Sequence, residues 1–97
     1  MKYLKEFNIK TFDNTEKYIP VKGSAFASCY DVFARKIEKV ADDYYIVYTG
    51  IYSQFDVNLE AIVRPRSNLT KTNWIIQNSP CTIDPDYTGE WQIRFRA

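Results

Sequence analysis

The chain has 97 residues, 13 Lys+Arg against 12 Asp+Glu and a net charge of +1, which predicts one small domain over residues 1–97 and argues against a wrapper of nucleic acid or anionic membrane. Hydrophobic residues make up 45% and aromatics 16% of it, enough for a core and too many for wholesale disorder. Histidine is absent, which excludes Ser-His-Asp and Cys-His catalysis and every zinc site that needs imidazole.

Met1 opens onto Lys2, Tyr3 and Lys5 with no apolar signal core behind them, so secretion is not indicated. No apolar run approaches the ~20 residues of a membrane helix. Phe7, Ile9 and Thr11 alternate with Glu6, Asn8 and Lys10, the period of a strand with one wet face. Asp13-Asn14-Thr15 supplies a turn. Tyr30 to Ala34 reads as a second strand, which Ile37 to Val40 continues after a break. Asp42-Asp43 turns into the β-branched and aromatic run Tyr44 to Thr49, closed by Gly50. Leu59, Ala61 and Val63 alternate until Pro65 ends that strand or moves it to an edge. Asn68 to Asn73 holds at most a short turn, and Trp74-Ile75-Ile76 reads as a buried strand.

Trp91, Ile93 and Phe95 alternate with Gln92, Arg94 and Arg96 in the last segment, which runs to Ala97. Six or seven short strands without a helical stripe predict an all-β sandwich or jelly roll. The final strand is expected to be an uncovered edge, and another chain is expected to cover it. Cys29 and Cys81 are too distant for a CxxC unit. They read as two reduced, largely buried thiols of a cytosolic protein.

Three clusters could carry chemistry. In Asp84-Pro85-Asp86-Tyr87-Thr88-Gly89-Glu90, the composition suits a hairpin turn whose Asp caps backbone amides. It suits equally a site where Asp84 is a base for water and Tyr87 a flat platform under a sugar or base. Pro65-Arg66-Ser67-Asn68-Leu69 is either a solvated surface loop or a phosphate cradle of Arg fork, hydroxyl and loop amides. Asp31, within the apolar Tyr30–Ala34 run, lies on a wet face or binds a cation through water.

Taken in order, these segments resemble the trimeric dUTPase family. Ala27-Ser28-Cys29-Tyr30-Asp31-Val32-Phe33-Ala34 is similar to its first motif, Ala-Gly-x-Asp-Leu-x-Ala. Thr49-Gly50-Ile51 matches a Thr-Gly-Ile before the next strand, and Pro65-Arg66-Ser67-Asn68-Leu69 resembles the second motif, Pro-Arg-Ser-Gly-Leu. Asn78 with Ile83-Asp84-Pro85-Asp86-Tyr87-Thr88-Gly89-Glu90 resembles the third, Asn…Ile-Asp-x-Asp-Tyr-Arg-Gly-Glu. The related dCTP deaminases share the fold, but the Asp-x-Asp-Tyr-x-Gly-Glu hairpin favours the dUTPase branch.

The resemblance implies hydrolysis of dUTP to dUMP and pyrophosphate, with Asp84 activating the water that attacks the α-phosphorus. It implies that Tyr87 packs on the deoxyribose and excludes a 2′-hydroxyl. The hairpin from Asn78 to Ile83 would read the uracil edge. Arg66, Ser67 and the amide of Asn68 would hold phosphates, and Asp31 would position Mg²⁺ through water. It also implies jelly-roll subunits in a trimer with sites shared between chains, and a cytoplasmic location. The family's fourth motif, near Gly-Asp-Arg-Ile-Ala-Gln, and its Gly-rich fifth have no counterpart in these residues, so the expectation is a domain short at its C-terminus or completed by another chain.

Four departures stand out: Cys29 and Cys81 at usual Gly positions, Asn68 for the second motif's Gly, and Thr88 for an Arg. Cys81 is expected beside the uracil pocket, where it would narrow it. Two function classes are compatible with this pattern: a dUTP diphosphatase, or a non-catalytic dUTPase-fold trimer serving as a structural, decoration or regulatory module, for example in a phage or other virus. A viral product would sit in the host cytoplasm or the virion.

Overall fold

A computed structural model describes residues 7–97, with Phe7 described by its backbone alone. The Met1–Lys5 segment, whose sequence carries no signal core, lies outside the described residues. The architecture is all-β. The strands are β1 (Phe7–Thr11), β2 (Val21–Lys22), β3 (Tyr30–Asp31), β4 (Lys36–Ala41), β5 (Tyr44–Tyr48), β6 (Ile51–Phe55), β7 (Ala61–Val63), β8 (Ile75–Ile76), β9 (Cys81–Ile83) and β10 (Gln92–Arg96). The helical elements among the described residues are short 3₁₀ turns, the longest being Ser67–Lys71.

The strands are more numerous and shorter than the alternation predicts, because turns interrupt them. Tyr30 to Ala34 keeps only Tyr30–Asp31 as strand. Beyond it the chain swings so that the Arg35 amide donates to the Tyr48 carbonyl at 2.7 Å. The next strand is therefore not a continuation. It is β4, the edge of another sheet, with its whole length exposed and a register shift between Lys39 and Ala41. Asp42-Asp43 forms the β4–β5 turn as expected. Asp13 and Asn14 turn the chain with φ of 56° and 54°, a conformation short Asx side chains tolerate.

Four antiparallel sheets result among the described residues: β1–β6, β2–β3, β7–β9 and the four-stranded β4-β5-β10-β8. The β1–β6 and β7–β9 pairs enclose the main core of Ile51, Phe55, Cys81, Ile83 and Trp91, with Ile9, Leu59, Ala61 and Val63 against it. Inward residues alternate along β6 and β9, as the period of a half-buried strand requires.

The expected uncovered last strand is not observed. β10 is internal, paired with β5 over its full length and with β8 through Phe95 and Arg96. Its two faces explain why. Ile93 and Phe95 share a face with Val47, Tyr45 and Ile76, and Trp74 lies edge-on to Phe95 at 5.6 Å. On the other face Arg94 donates to the Tyr44 hydroxyl at 2.9 Å, and Arg96 to Gln77 at 2.8 Å. The Trp74–Ile76 run is only partly buried, since Ile75 is 66% exposed. Of the two free thiols, Cys81 is buried and Cys29 exposed, so the expectation of two buried cysteines holds for one.

A junction at Thr49-Gly50 ties the sheets together. Thr49 is fully buried, and its hydroxyl donates to the Trp91 carbonyl at 2.9 Å while accepting from the Ile51 amide at 3.2 Å. Gly50 takes φ +72°, and a Cβ there would lie 2.8 Å from the Tyr18 ring, so glycine is required. The Gly50 amide donates to Glu90 at 2.7 Å. Glu90 in turn receives Arg35 through both oxygens, at 2.8 and 2.9 Å, and the Arg35 guanidinium lies 4.0 Å from the Phe12 ring centre. Arg35 draws the Glu90 carboxyl below its ordinary range, and the Glu90 carboxylate raises Arg35.

Candidate active site

The hairpin joining β9 to β10 is built by its sequence. Ile83 turns inward and is 5% exposed, which anchors the strand and leaves Asp84 to start the turn, closed by the Tyr87 amide donating to the Asp84 carbonyl at 3.1 Å. The Tyr87 hydroxyl reaches back to the Glu90 carbonyl at 2.8 Å. This lays its ring over Gly89, where a Cβ would stand 2.7 Å from the hydroxyl and 2.9 Å from Cζ. Glycine at 89 is thus what lets the aromatic ring fold down.

A cleft of about 220 Å³ opens beside this hairpin, lined among others by Asn78, Cys81, Ile83, Asp84, Tyr87 and Arg94. Five residues singled out in the sequence, Asn78, Cys81, Ile83, Asp84 and Tyr87, therefore meet at one place. Asp84 is exposed, and Tyr87 is 39% exposed. A solvent-facing carboxylate beside an aromatic face can orient a water and support a planar or sugar ring. Asn78 fixes the inner end: its Oδ1 accepts from the Arg94 amide at 3.1 Å and its Nδ2 donates to Cys81 Sγ at 3.3 Å. Burial pushes the Cys81 thiol above its ordinary pKa, so it is a neutral wall and not a thiolate nucleophile.

The remaining predicted residues form a second group. Arg66 Nη1 stands 3.5 Å from Asp31 Oδ2, so the first and second motifs meet although 35 residues separate them in sequence. Arg66 caps the 3₁₀ turn Ser67–Lys71, and the Leu69 amide donates to its carbonyl at 3.0 Å. Arg66, Ser67 and Asn68 are all exposed, and their donors can reach an anion in solvent. Among the described residues no group of three or more His, Cys, Asp or Glu is placed to hold a metal ion. Nor is any helix there long and apolar enough to cross a membrane.

Sequence reasoning missed Arg94 and Gln92 at the cleft and the Arg35–Glu90 pair at the Gly50 junction. Arg94 carried a signal, being a charge in an alternating terminal strand. Arg35 carried none, because its partner lies 55 residues away.

The family model for dUTPase matches residues 15–97. Curated relatives carry the name deoxyuridine 5'-triphosphate nucleotidohydrolase. That of Heliobacterium modesticaldum is 36% identical over 93 residues, covering 77% of this chain and 57% of the relative. That of a Thermoanaerobacter species is 36% identical over 88 residues, covering 87% and 60%. The Rickettsia akari protein is 30% identical over 92 residues, covering 91% and 62%. The chain thus spans about three-fifths of the length of these relatives. The match runs through all three motif segments, from the Asp31 strand to the Tyr87 hairpin, and on that basis the chain belongs to the dUTPase family.

Proposed function

We propose that this chain supplies the nucleotide-binding and water-activating part of a dUTP diphosphatase, which converts dUTP to dUMP and pyrophosphate. The observation that carries the reading is the cleft where Asp84, Tyr87, Asn78 and Ile83 converge. Asp84 accepts a proton from a water that attacks the α-phosphorus. The Tyr87 ring lies against the deoxyribose and crowds a 2′-hydroxyl. Ile83 and the hairpin backbone flank the base, with Asn78 at the inner end. Arg66, Ser67 and the Asn68 amide receive phosphate oxygens through charge-assisted and backbone hydrogen bonds.

The donor set bears on the cation that the family implies. Asp31 is a single carboxylate beside Arg66, which fits a Mg²⁺ that arrives with the phosphates and keeps its waters, not a cation held in a protein cage. Asp31 would hold it through water, and it would supply charge neutralisation on the phosphates. Asp31 also stands at ion-pair distance from the exposed Arg66, 3.5 Å from its Nη1.

A homo-oligomer, most simply a trimer, brings the Asp31–Arg66 group of one subunit to the hairpin cleft of another. Cytoplasmic nucleotide metabolism is the setting. The direct test is incubation with dUTP and Mg²⁺ followed by pyrophosphate assay, with Asp84→Asn alongside. Asparagine keeps the shape but takes no proton, so turnover falls by about 10²–10⁴-fold while nucleotide binding persists. Equal rates for wild type and Asp84→Asn refute the mechanism. An assembled oligomer that neither binds nor turns over dUTP assigns the chain to the structural or regulatory class, viral or cellular. Sedimentation as a stable monomer at micromolar concentration refutes the shared site.

A further inference from the structure

We infer that Cys81 sets how deeply a pyrimidine ring enters this cleft, so that shortening its side chain deepens the inner end and tightens nucleotide binding. The inference rests on reading the cleft as a nucleotide site.

The thiol does not stand alone. The Arg94 amide donates to Asn78 Oδ1 at 3.1 Å, Asn78 Nδ2 donates to Cys81 Sγ at 3.3 Å, and Sγ makes a long contact of 3.9 Å with the Gln92 carbonyl. Side chains and backbone of the β9–β10 hairpin thereby close into a ring. The polar groups at the inner end are directed at one another, and Sγ lies between the Asn78 amide and the Gln92 carbonyl. The cleft measures about 220 Å³, below the roughly 300–1,000 Å³ of ordinary small-molecule sites.

Within the ring only the sulfur can be removed without unpairing backbone. Asn78 Oδ1 satisfies the Arg94 amide, and losing it would leave a half-buried donor unmet. Removing the thiol costs a weak hydrogen bond and its share of the core packing with Ile83 and Trp91. It also frees one N–H of Asn78. The orientation of that amide stays fixed, because a flip would set its NH₂ against the Arg94 N–H. The freed group is a donor held towards the cleft and suits a pyrimidine keto oxygen.

The test measures dUMP binding by calorimetry for wild type, C81A, C81S and C81V, with thermal melts of each. Affinity should follow the reverse of side-chain size: C81A tightest, then C81S, then wild type, then C81V. The expected gain for C81A is about tenfold or more, the scale on which one methylene is felt in a tight pocket. If alanine lowers the melting temperature below that of the assay, C81S against C81V tests the same order. The side-chain amide signals of Asn78 in ¹⁵N spectra should shift in C81A. Equal dUMP affinity for wild type and C81A, or C81V as tight as wild type, overturns the role of Cys81 and leaves the nucleotide reading intact. If the Asn78 signals shift as expected and no variant binds dUMP, the nucleotide reading fails and the inference with it.

Discussion

Replacing Glu90 tests whether the junction behind the hairpin holds the fold together. Its carboxylate side chain is 10% exposed and that of Arg35 is 18% exposed. Glu90→Ala removes two hydrogen bonds to Arg35 and one to the Gly50 amide. Breaking one partner out of a buried pair costs about 3–5 kcal/mol, and this pair, still touched by solvent, belongs at the low end, about 3 kcal/mol. For a domain of this size that is a fall in Tm of about 12–24 °C. Glu90→Gln keeps an oxygen for Gly50 and should cost about 1–2 kcal/mol.

The sign of the pH effect is fixed. Arg35 lowers the folded pKa of Glu90, so the stabilisation is complete above the unfolded carboxyl value of about 4.3. It is lost as pH falls through the lowered folded value. Urea unfolding followed by tryptophan fluorescence, at pH 7 and at successively lower pH, should therefore show a gap between wild type and Glu90→Gln that closes in acid. A Glu90→Ala variant within about 0.5 kcal/mol of wild type at pH 7 refutes the argument. So does a gap that widens with acid.

Gly50→Ala should destabilise by about 1–3 kcal/mol, since φ is +72° and the added Cβ meets Tyr18 at 2.8 Å; a chemical melt measures it. Trp91→Phe removes the 2.8 Å indole bond to Ser53, which is 7% exposed, and leaves that hydroxyl unpaired at a cost of about 1–3 kcal/mol. Restoring part of the loss with Ser53→Ala in the same chain is the expected double-mutant result. Gly89→Ala should push the Tyr87 ring outward and weaken dUMP binding in the same direction as Tyr87→Ala. Tyr87→Ala should also narrow the preference for dUTP over UTP, as competition measurements would show.

The sequence and the structure agree most closely where information is local. Asp84 to Glu90 forms the expected turn because Pro, Gly and Asx residues constrain a few neighbouring dihedrals. The meeting of Asp31 with Arg66 was legible only through family resemblance, since nothing local joins strand β3 to the loop after Pro65. Sheet order was not legible. Alternation along β10 revealed a strand but not its neighbours, and β8, only two residues long, gave too little pattern to announce itself as the second one. The Arg35–Glu90 pair is chosen by sheet closure, which brings together residues that no sequence window contains. Cys29 was misjudged because cysteine is usually buried, whereas it lies in the largely exposed segment between β2 and β3.

The central place of β10 has a consequence for how the chain is made. Synthesis proceeds from the N-terminus at about 5–20 residues per second, so β5 and β8 leave the ribosome before the strand that must lie between them. During that interval β5 has β4 alone as a sheet neighbour, and Thr49 waits for a carbonyl 42 residues downstream. Closure is therefore a late insertion into a prepared gap, governed by contacts of long sequence separation that slow folding. The open edge of β5 is the surface that a nascent chain of this protein must keep from other strands until Trp91 arrives.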